Sequence, residues 1–223
     1  MKLRYIGILL TLFLVASSCV KYEKDADYAT LQGSLIDKFT NTTLDVGQIS
    51  LEPSKVVNGF MNLDPDGNFT NTRILPGEYT ILASLDAAFT SDSAKVEMQA
   101  GKETKVSLTI EPWISVQSAV VSVVDTTITI TYTIQGNKGF LPARHLVAWS
   151  TSPKPKVTSY PGGNRNFYTP ATGQENGTFT YKIEGLEWNT TYFIVAGARL
   201  NEQDNPEIYY NYGRQIIVTT AKK

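Results

Sequence analysis

"TTITITYTI", residues 126 to 134, is the stretch that decides the fold. Ile128, Ile130, Tyr132 and Ile134 fall on one side of an extended chain, and Thr127, Thr129, Thr131 and Thr133 fall on the other. A period of two defines a strand with one face in a core and one in water. Such a strand needs partners and a second apolar layer.

Partners follow in the same half of the chain. "HLVAWSTSP" (145–153), "GTFTYKIEGL" (177–186), "TYFIVAGARL" (191–200) and "RQIIVTT" (214–220) are short β-rich runs separated by turns. Together they predict a β-sandwich over residues 112–223. The preceding segment, 28–111, repeats the pattern. Leu31, Gly33 and Leu35, then Tyr79, Ile81 and Ala83, then Val106, Leu108 and Ile110 alternate with polar neighbours. Asn58-Gly59, Asp64-Pro65-Asp66-Gly67-Asn68 and Pro76-Gly77 mark turns between these runs. No stretch carries a convincing helical period. The fold class is therefore all-β, with two β-sandwich domains.

The N-terminus reads differently. Lys2 and Arg4 precede an apolar run from Ile6 to Val15, followed by the small residues Ala16, Ser17 and Ser18. That is the plan of a signal peptide over residues 1–18. The apolar run is shorter than the roughly 20 residues a membrane span requires. Cys19, the sole cysteine, follows at once. Small residues ending in cysteine resemble the lipobox of bacterial lipoproteins, although Ala16 stands where Leu is commoner. The resemblance implies acylation of Cys19 and attachment to a membrane through the lipid anchor, with residues 19–27 as a lipidated tether. Its charged run, Lys21 to Asp27, loosely resembles a surface-export signal. The expected location is the outer membrane, facing the cell exterior.

Two further resemblances concern the sandwiches. "LDPDGNFTNTRILPGEYTILAS", 63–84, resembles the transthyretin-like, or carboxypeptidase-regulatory-like, domain through Asp66, Gly67, Phe69, Leu75, Pro76, Gly77 and Tyr79. Gly67 would take a positive φ in the turn and Phe69 would return to the core. The order "AWSTSPKP", "GTFTYKIEGLEWNTTYFIVAGARLN", "YGRQIIVTT" resembles a fibronectin type III domain, with Tyr192 as its tyrosine corner; Glu187-Trp188 stands where that family usually has a proline. The combination is similar to lipoproteins associated with SusC/SusD-type glycan importers. This implies importer proteins and a glycan ligand as partners. It supplies no catalytic residue.

Composition narrows the chemistry. The whole chain has 20 basic and 21 acidic residues; without residues 1–18, which hold Lys2 and Arg4, 18 basic face 21 acidic. That balance gives no basic footprint for nucleic acid. With Cys19 acylated no thiol remains, and His145 is the sole histidine. A multi-histidine zinc site is excluded. Asp64, Asp66 and Asn68 have the spacing of a calcium-loop start, but position 75 is Leu where the bidentate Glu belongs, so a capped hairpin turn is the expectation. Glu184 and Glu187 share a turn, an unsuitable arrangement for carboxylates that must flank a glycosidic bond. No metal, no cofactor and no enzymatic activity are expected.

Sugar rings offer apolar faces to flat side chains, so aromatic loops are the candidate ligand site. Residues 155–176 carry Tyr160, Arg165, Phe167 and Tyr168, and residues 201–213 carry Tyr209, Tyr210 and Tyr212. Long loops without a pattern of their own are often functional. The competing expectation is that rings such as Tyr209 and Tyr212 pack against the sandwich edge and that the longer loop holds a short edge strand. The chain would then be a structural spacer or protein-docking module with no sugar site.

Overall fold

The computed structural model describes residues 27–53, 60–155, 163–200 and 210–223. The signal segment, Cys19, most of the tether, Tyr160 and Tyr209 lie outside them. Within them the chain is all-β, with no helix.

Nine strands make the first unit: β1 (Ala29–Asp37), β2 (Thr42–Thr43), β3 (Gln48–Glu52), β4 (Phe60–Met61), β5 (Asn68–Ile74), β6 (Gly77–Ser84), β7 (Ala88–Thr90), β8 (Asp92–Met98) and β9 (Glu103–Pro112). One sheet runs β2-β1-β9-β7, with β5 also on β1, and the other runs β4-β3-β6-β8. β1 and β9 pair in parallel from Thr30↔Glu103 to Asp37↔Ile110. The alternating residues Leu31, Leu35, Ile49, Leu51, Tyr79, Ile81, Leu108 and Ile110 all point between the sheets and are buried.

The turn before β5 forms as its sequence dictates. Gly67 takes φ +77°. Asp64 Oδ1 accepts the backbone N–H groups of Asp66 (2.8 Å) and Asn68 (2.9 Å). This oxygen caps a hairpin rather than facing outward as a metal ligand. Phe69 then enters the core at 2 % exposure. It fits because Gly33 lacks a Cβ: one placed there would lie 2.3 Å from Phe69 Cζ and 2.4 Å from the Val106 carbonyl oxygen.

Eight strands make the second unit: β10 (Ile114–Val124), β11 (Thr127–Gly136), β12 (Arg144–Ser150), β13 (Asn164–Tyr168), β14 (Gly177–Ile183), β15 (Thr191–Arg199), β16 (Asn211–Tyr212) and β17 (Ile216–Thr219). β10-β11-β14 form one sheet; β13-β12-β15-β16, with β17 on β15, form the other. Ile128, Ile130, Tyr132 and Ile134 of the opening stretch enter the core with Val147, Ile183, Tyr192, Ile194 and Ala196. The Tyr192 hydroxyl accepts the Glu187 N–H at 3.1 Å, tying the turn before β15 to the strand. Trp188 is 40 % exposed in that turn.

The chain passes from one core to the other between Ile110 and Ile114, and the seam there is bonded on several sides. Asn211, 3 % exposed, donates from Nδ2 to the Ala87 carbonyl (2.9 Å) and accepts the Ile114 N–H at Oδ1 (3.0 Å). Asn137 Nδ2 donates to the Pro112 carbonyl and to Ser115 Oγ, both at 2.9 Å. Glu111 binds Lys38 of the first unit and Lys138 of the second. Phe89 and Phe140 meet edge to face across the same junction, ring centroids 5.2 Å apart.

Two outcomes are expected. Gly33→Ala forces the Phe69 ring or β9 to move and should lower stability by about 1–3 kcal/mol, the usual range for overpacking, measured as a shift in urea midpoint. Asn211→Ala strands the buried Ile114 N–H, worth about 1–3 kcal/mol when unpaired, and leaves the Ala87 carbonyl with its Trp113 bond alone. It should lower the thermal midpoint and expose the 111–114 connection to protease, while a surface Asn166→Ala change should do neither.

Candidate functional site

The sheet containing β12 and β15 has two unlike faces. Inward, Val147, Ile194, Ala196 and Ala198 join the main core. Outward, Leu146, Ala148 and Val195 build a smaller cluster with Tyr210 and Tyr212, capped by Val46 of the first unit. Gly197 makes the arrangement possible: it pairs with Tyr212, and a Cβ there would lie 2.8 Å from that ring.

Tyr210 and Tyr212 are therefore 4 % and 6 % exposed. Their rings stack on one another at 5.8 Å. The expectation that they offer ring faces to a ligand is corrected, because the seam has taken those faces for its own packing. Burial also raises the Tyr210 hydroxyl above its ordinary pKa, partly offset by the nearby charges of Arg199, Arg144 and Arg165.

β13 behaves in the opposite way. Among the described residues it is an edge strand, paired to β12 alone, and all five of its residues are exposed. Phe167 is 40 % and Tyr168 42 % exposed. Being consecutive on a strand, they point to opposite faces. Phe167 pairs across from Leu146 and lies on the outer face. The guanidinium carbons of Arg165 and Arg144 sit 5.6 and 5.7 Å from its ring centroid, within cation–π range. Tyr168 pairs across from His145 and leans over the sandwich edge, where it contacts His145 (5.7 Å) and Phe179 (5.9 Å). The two rings do not form one platform. The outer face holds one ring between two arginines, and Asn164 and Asn166 lie on the same exposed strand.

Two depressions on the first unit lack an exposed ring. One, about 490 Å³, lies over Gln32, Ser34, Asn68, Thr70, Lys105 and Ser107; the other, about 420 Å³, lies over Glu52, Glu78, Thr80, Lys95 and Glu97. The aromatic rings beside them, Phe69 and Tyr79, are 2 % and 3 % exposed. Glu184 and Glu187 are exposed in their turn. Among the described residues no group of three or more His, Cys, Asp or Glu side chains is placed to hold a metal.

His145 is a buried packing residue, 0 % exposed. Its ring lies edge to face against Phe179 at 4.6 Å, and Nε2 sits 3.1 Å from the Glu175 carbonyl oxygen. A carbonyl only accepts, so Nε2 carries the proton. Nδ1 is buried without a hydrogen-bond partner. Burial lowers the pKa from its ordinary 6.5, with the Glu175 bond opposing in part.

The chain has no match among family models or curated proteins. It is similar to solved structures from Bacteroidetes. A DUF3823 family protein from Parabacteroides merdae is 14 % identical with a TM-score of 0.61, over 88 % of this chain and all of that one. A second DUF3823 family protein, from Bacteroides ovatus, is 16 % identical with a TM-score of 0.63, over 86 % of this chain and 98 % of that one. A candidate carbohydrate-binding protein from Bacteroides uniformis is 12 % identical with a TM-score of 0.59, over 87 % of this chain and all of that one. At these identities the likeness establishes a shared all-β fold.

The buried imidazole generates a pH prediction. A folded pKa below that of the free side chain means the unfolded chain binds the proton more readily. The stabilisation is complete above about pH 6.5 and is lost progressively as pH falls from there toward the lower folded pKa. The thermal midpoint should drop between pH 7.5 and 5.5. His145→Phe should flatten that part of the profile, whatever its midpoint at pH 7.5.

Proposed function

We propose that this chain is a non-catalytic surface lipoprotein, anchored in the outer membrane through Cys19. It serves a SusC/SusD-type glycan importer by holding oligosaccharide at the β13 edge. The observation that carries the reading is Phe167: a ring 40 % exposed on an edge strand, beside the arginine side chains of Arg165 and Arg144. Aromatic faces and fixed hydrogen-bonding groups are what a saccharide needs from a protein surface. Tyr168, at the rim of the same strand, adds a second contact for a chain that crosses the edge. Likeness to a candidate carbohydrate-binding protein from Bacteroides uniformis supports the same reading.

The bonded seam favours a second reading. Hydrogen bonds (Asn211 to Ala87, Gln215 to Asp45), ion pairs (Lys138 with Glu111, Arg214 with Asp66) and an aromatic contact join the two units, as a rigid spacer or protein-docking module would require. The two roles are compatible in one molecule, but only the first needs Phe167 and Tyr168 for binding.

Affinity electrophoresis through gels containing plant, host or microbial polysaccharides separates them. Retardation by at least one glycan is expected, reduced tenfold or more in a Phe167→Ala/Tyr168→Ala variant. Absence of retardation on every glycan, together with co-purification with importer subunits, would leave the spacer reading standing.

A further inference from the structure

β10 breaks the rule by which sheets protect their edges. An edge strand shows unpaired backbone N–H and C=O groups, and charge, proline or shortness normally keeps other strands from adding to it. Among the described residues the other edges follow that rule. β13 carries Arg165, β14 carries Lys182, β8 carries Lys95 and β5 carries Arg73, while β2, β4, β7, β16 and β17 are two to four residues long. β10 is eleven residues long and has neither a charged residue nor a proline; among the described residues it pairs with β11 alone. Its first half is shielded: Gly213 lies against Val116, and Ser118 Oγ donates to the Arg214 carbonyl at 3.3 Å. Its second half, 119–124, stands in water. Val121 and Val124 are 58 % and 61 % exposed, and Val120, which pairs across from the core residue Ile130, is still 37 % exposed. The pairing with β11 shifts between Val120 and Ser122, and Val121 is the extra residue. A bulge re-aims a side chain, and this one turns out a valine.

We infer that this half-strand is where two copies of the chain join, β10 against β10 and antiparallel, about a two-fold midway between Val121 and Ser122. Two-fold pairs are the commonest assembly of identical chains. That axis opposes Val120 of one copy to Val123 of the other, and Ala119 to Val124. The faces agree. Val120 and Val123 both lie on the core side, across from Ile130 and Ile128; Ala119 and Val124 both lie on the outer side, across from Thr131 and Thr127. No like charges meet, because the segment holds none. Opposite charges do meet at its ends. Asp125 of one copy falls opposite Ser118 of the other, beside which Arg214 stands, and Asp125 and Arg214 are both exposed. Arg214 already binds Asp66, but a guanidinium has five N–H donors and can serve two carboxylates. These matches belong to the strand paired with itself; a foreign strand has no such fit built in. The pairing joins the β10-β11-β14 sheets of two copies into one continuous sheet.

Sedimentation equilibrium of the full chain in density-matched detergent tests this. The mass should rise from one copy to two as the protein reaches tens of micromolar. Val121→Lys should weaken association about tenfold or more, and so should Val124→Lys. Thr180→Lys, which puts the same charge on the β14 edge of the same sheet, should leave it unchanged. Val121→Lys and Val121→Glu chains should each stay monomeric alone yet associate when mixed, because the axis sets position 121 of one copy beside position 121 of the other. A wild-type chain that remains monomeric throughout overturns the inference, even if a different protein binds at β10. So does a dimer untouched by the changes at 121 and 124, one that Thr180→Lys weakens equally, or a mixture that fails to associate. Positions 121 and 124 are exposed, so an unchanged thermal midpoint separates lost association from lost folding. Should one of these variants unfold, the other still decides the outcome.

Discussion

Asn211 makes two hydrogen bonds on which the arrangement of this molecule depends. Its side-chain amide reaches the Ala87 carbonyl at the edge of the first core and the Ile114 N–H at the start of the second. One buried residue thereby joins the body of the first unit, the connecting segment and the last sheet of the second. Trp113 N–H adds a bond to the same Ala87 carbonyl, and Asn137 holds the connection from the other side. A junction between sandwiches can be a free hinge or a fixed angle. Here the connecting backbone has its polar groups bonded within the seam, which is what buried backbone requires. Bending at this point would break several bonds together.

Fixing that angle decides what the aromatic residues can do. Tyrosines near β16 had two possible uses, stacking on a ligand or filling the seam. An aromatic side chain buries about 150–250 Å², and Tyr210 and Tyr212 commit most of theirs to Val46, Leu146 and Val195. Gly197 shows the fit to be specific, since a methyl group there would meet the Tyr212 ring. β13 lies outside this competition because it is the far edge of the sheet among the described residues. The same seam holds Asp45, 4 % exposed, whose Oδ2 accepts the Gln215 N–H at 3.2 Å. Burial raises its pKa above the ordinary value, partly countered by that bond and by the charge of Lys154. The raised pKa favours the fold at low pH, opposite in sign to His145, so the two groups pull the pH profile in different directions.

Much of the fold was legible in the sequence because alternation reports burial directly. Ile128, Ile130, Tyr132 and Ile134 lie in the core as their spacing requires, and Gly67 and Phe69 perform the turn and the return assigned to them. The parallel pairing of β1 with β9 was not legible: it joins segments about 70 residues apart, and neither carries a mark of its partner. The site was legible in residue type but not in placement. "NRNFY" discloses two adjacent rings, and the short edge strand that the packing alternative allows within 155–176, placed at 164–168, sends Phe167 and Tyr168 to opposite faces. The burial of Tyr210 and Tyr212 depends on a neighbour, Val46, more than 160 positions away. Arg144 and Arg199 were missed for the same reason, since they come beside the candidate Arg165 only when three strands are set side by side.

Edge position explains why the candidate site lies where it does. A ring in the centre of a sheet is either buried by a second layer or, if bare, an invitation to aggregate. An edge strand offers a third condition, in which backbone bonds on one side hold the ring while its face stays in water. Unpaired strand edges carry their own hazard of pairing with another chain, which charged side chains reduce. β13 has Arg165 within it and Arg144 beside it, so positive charge guards the edge that displays Phe167.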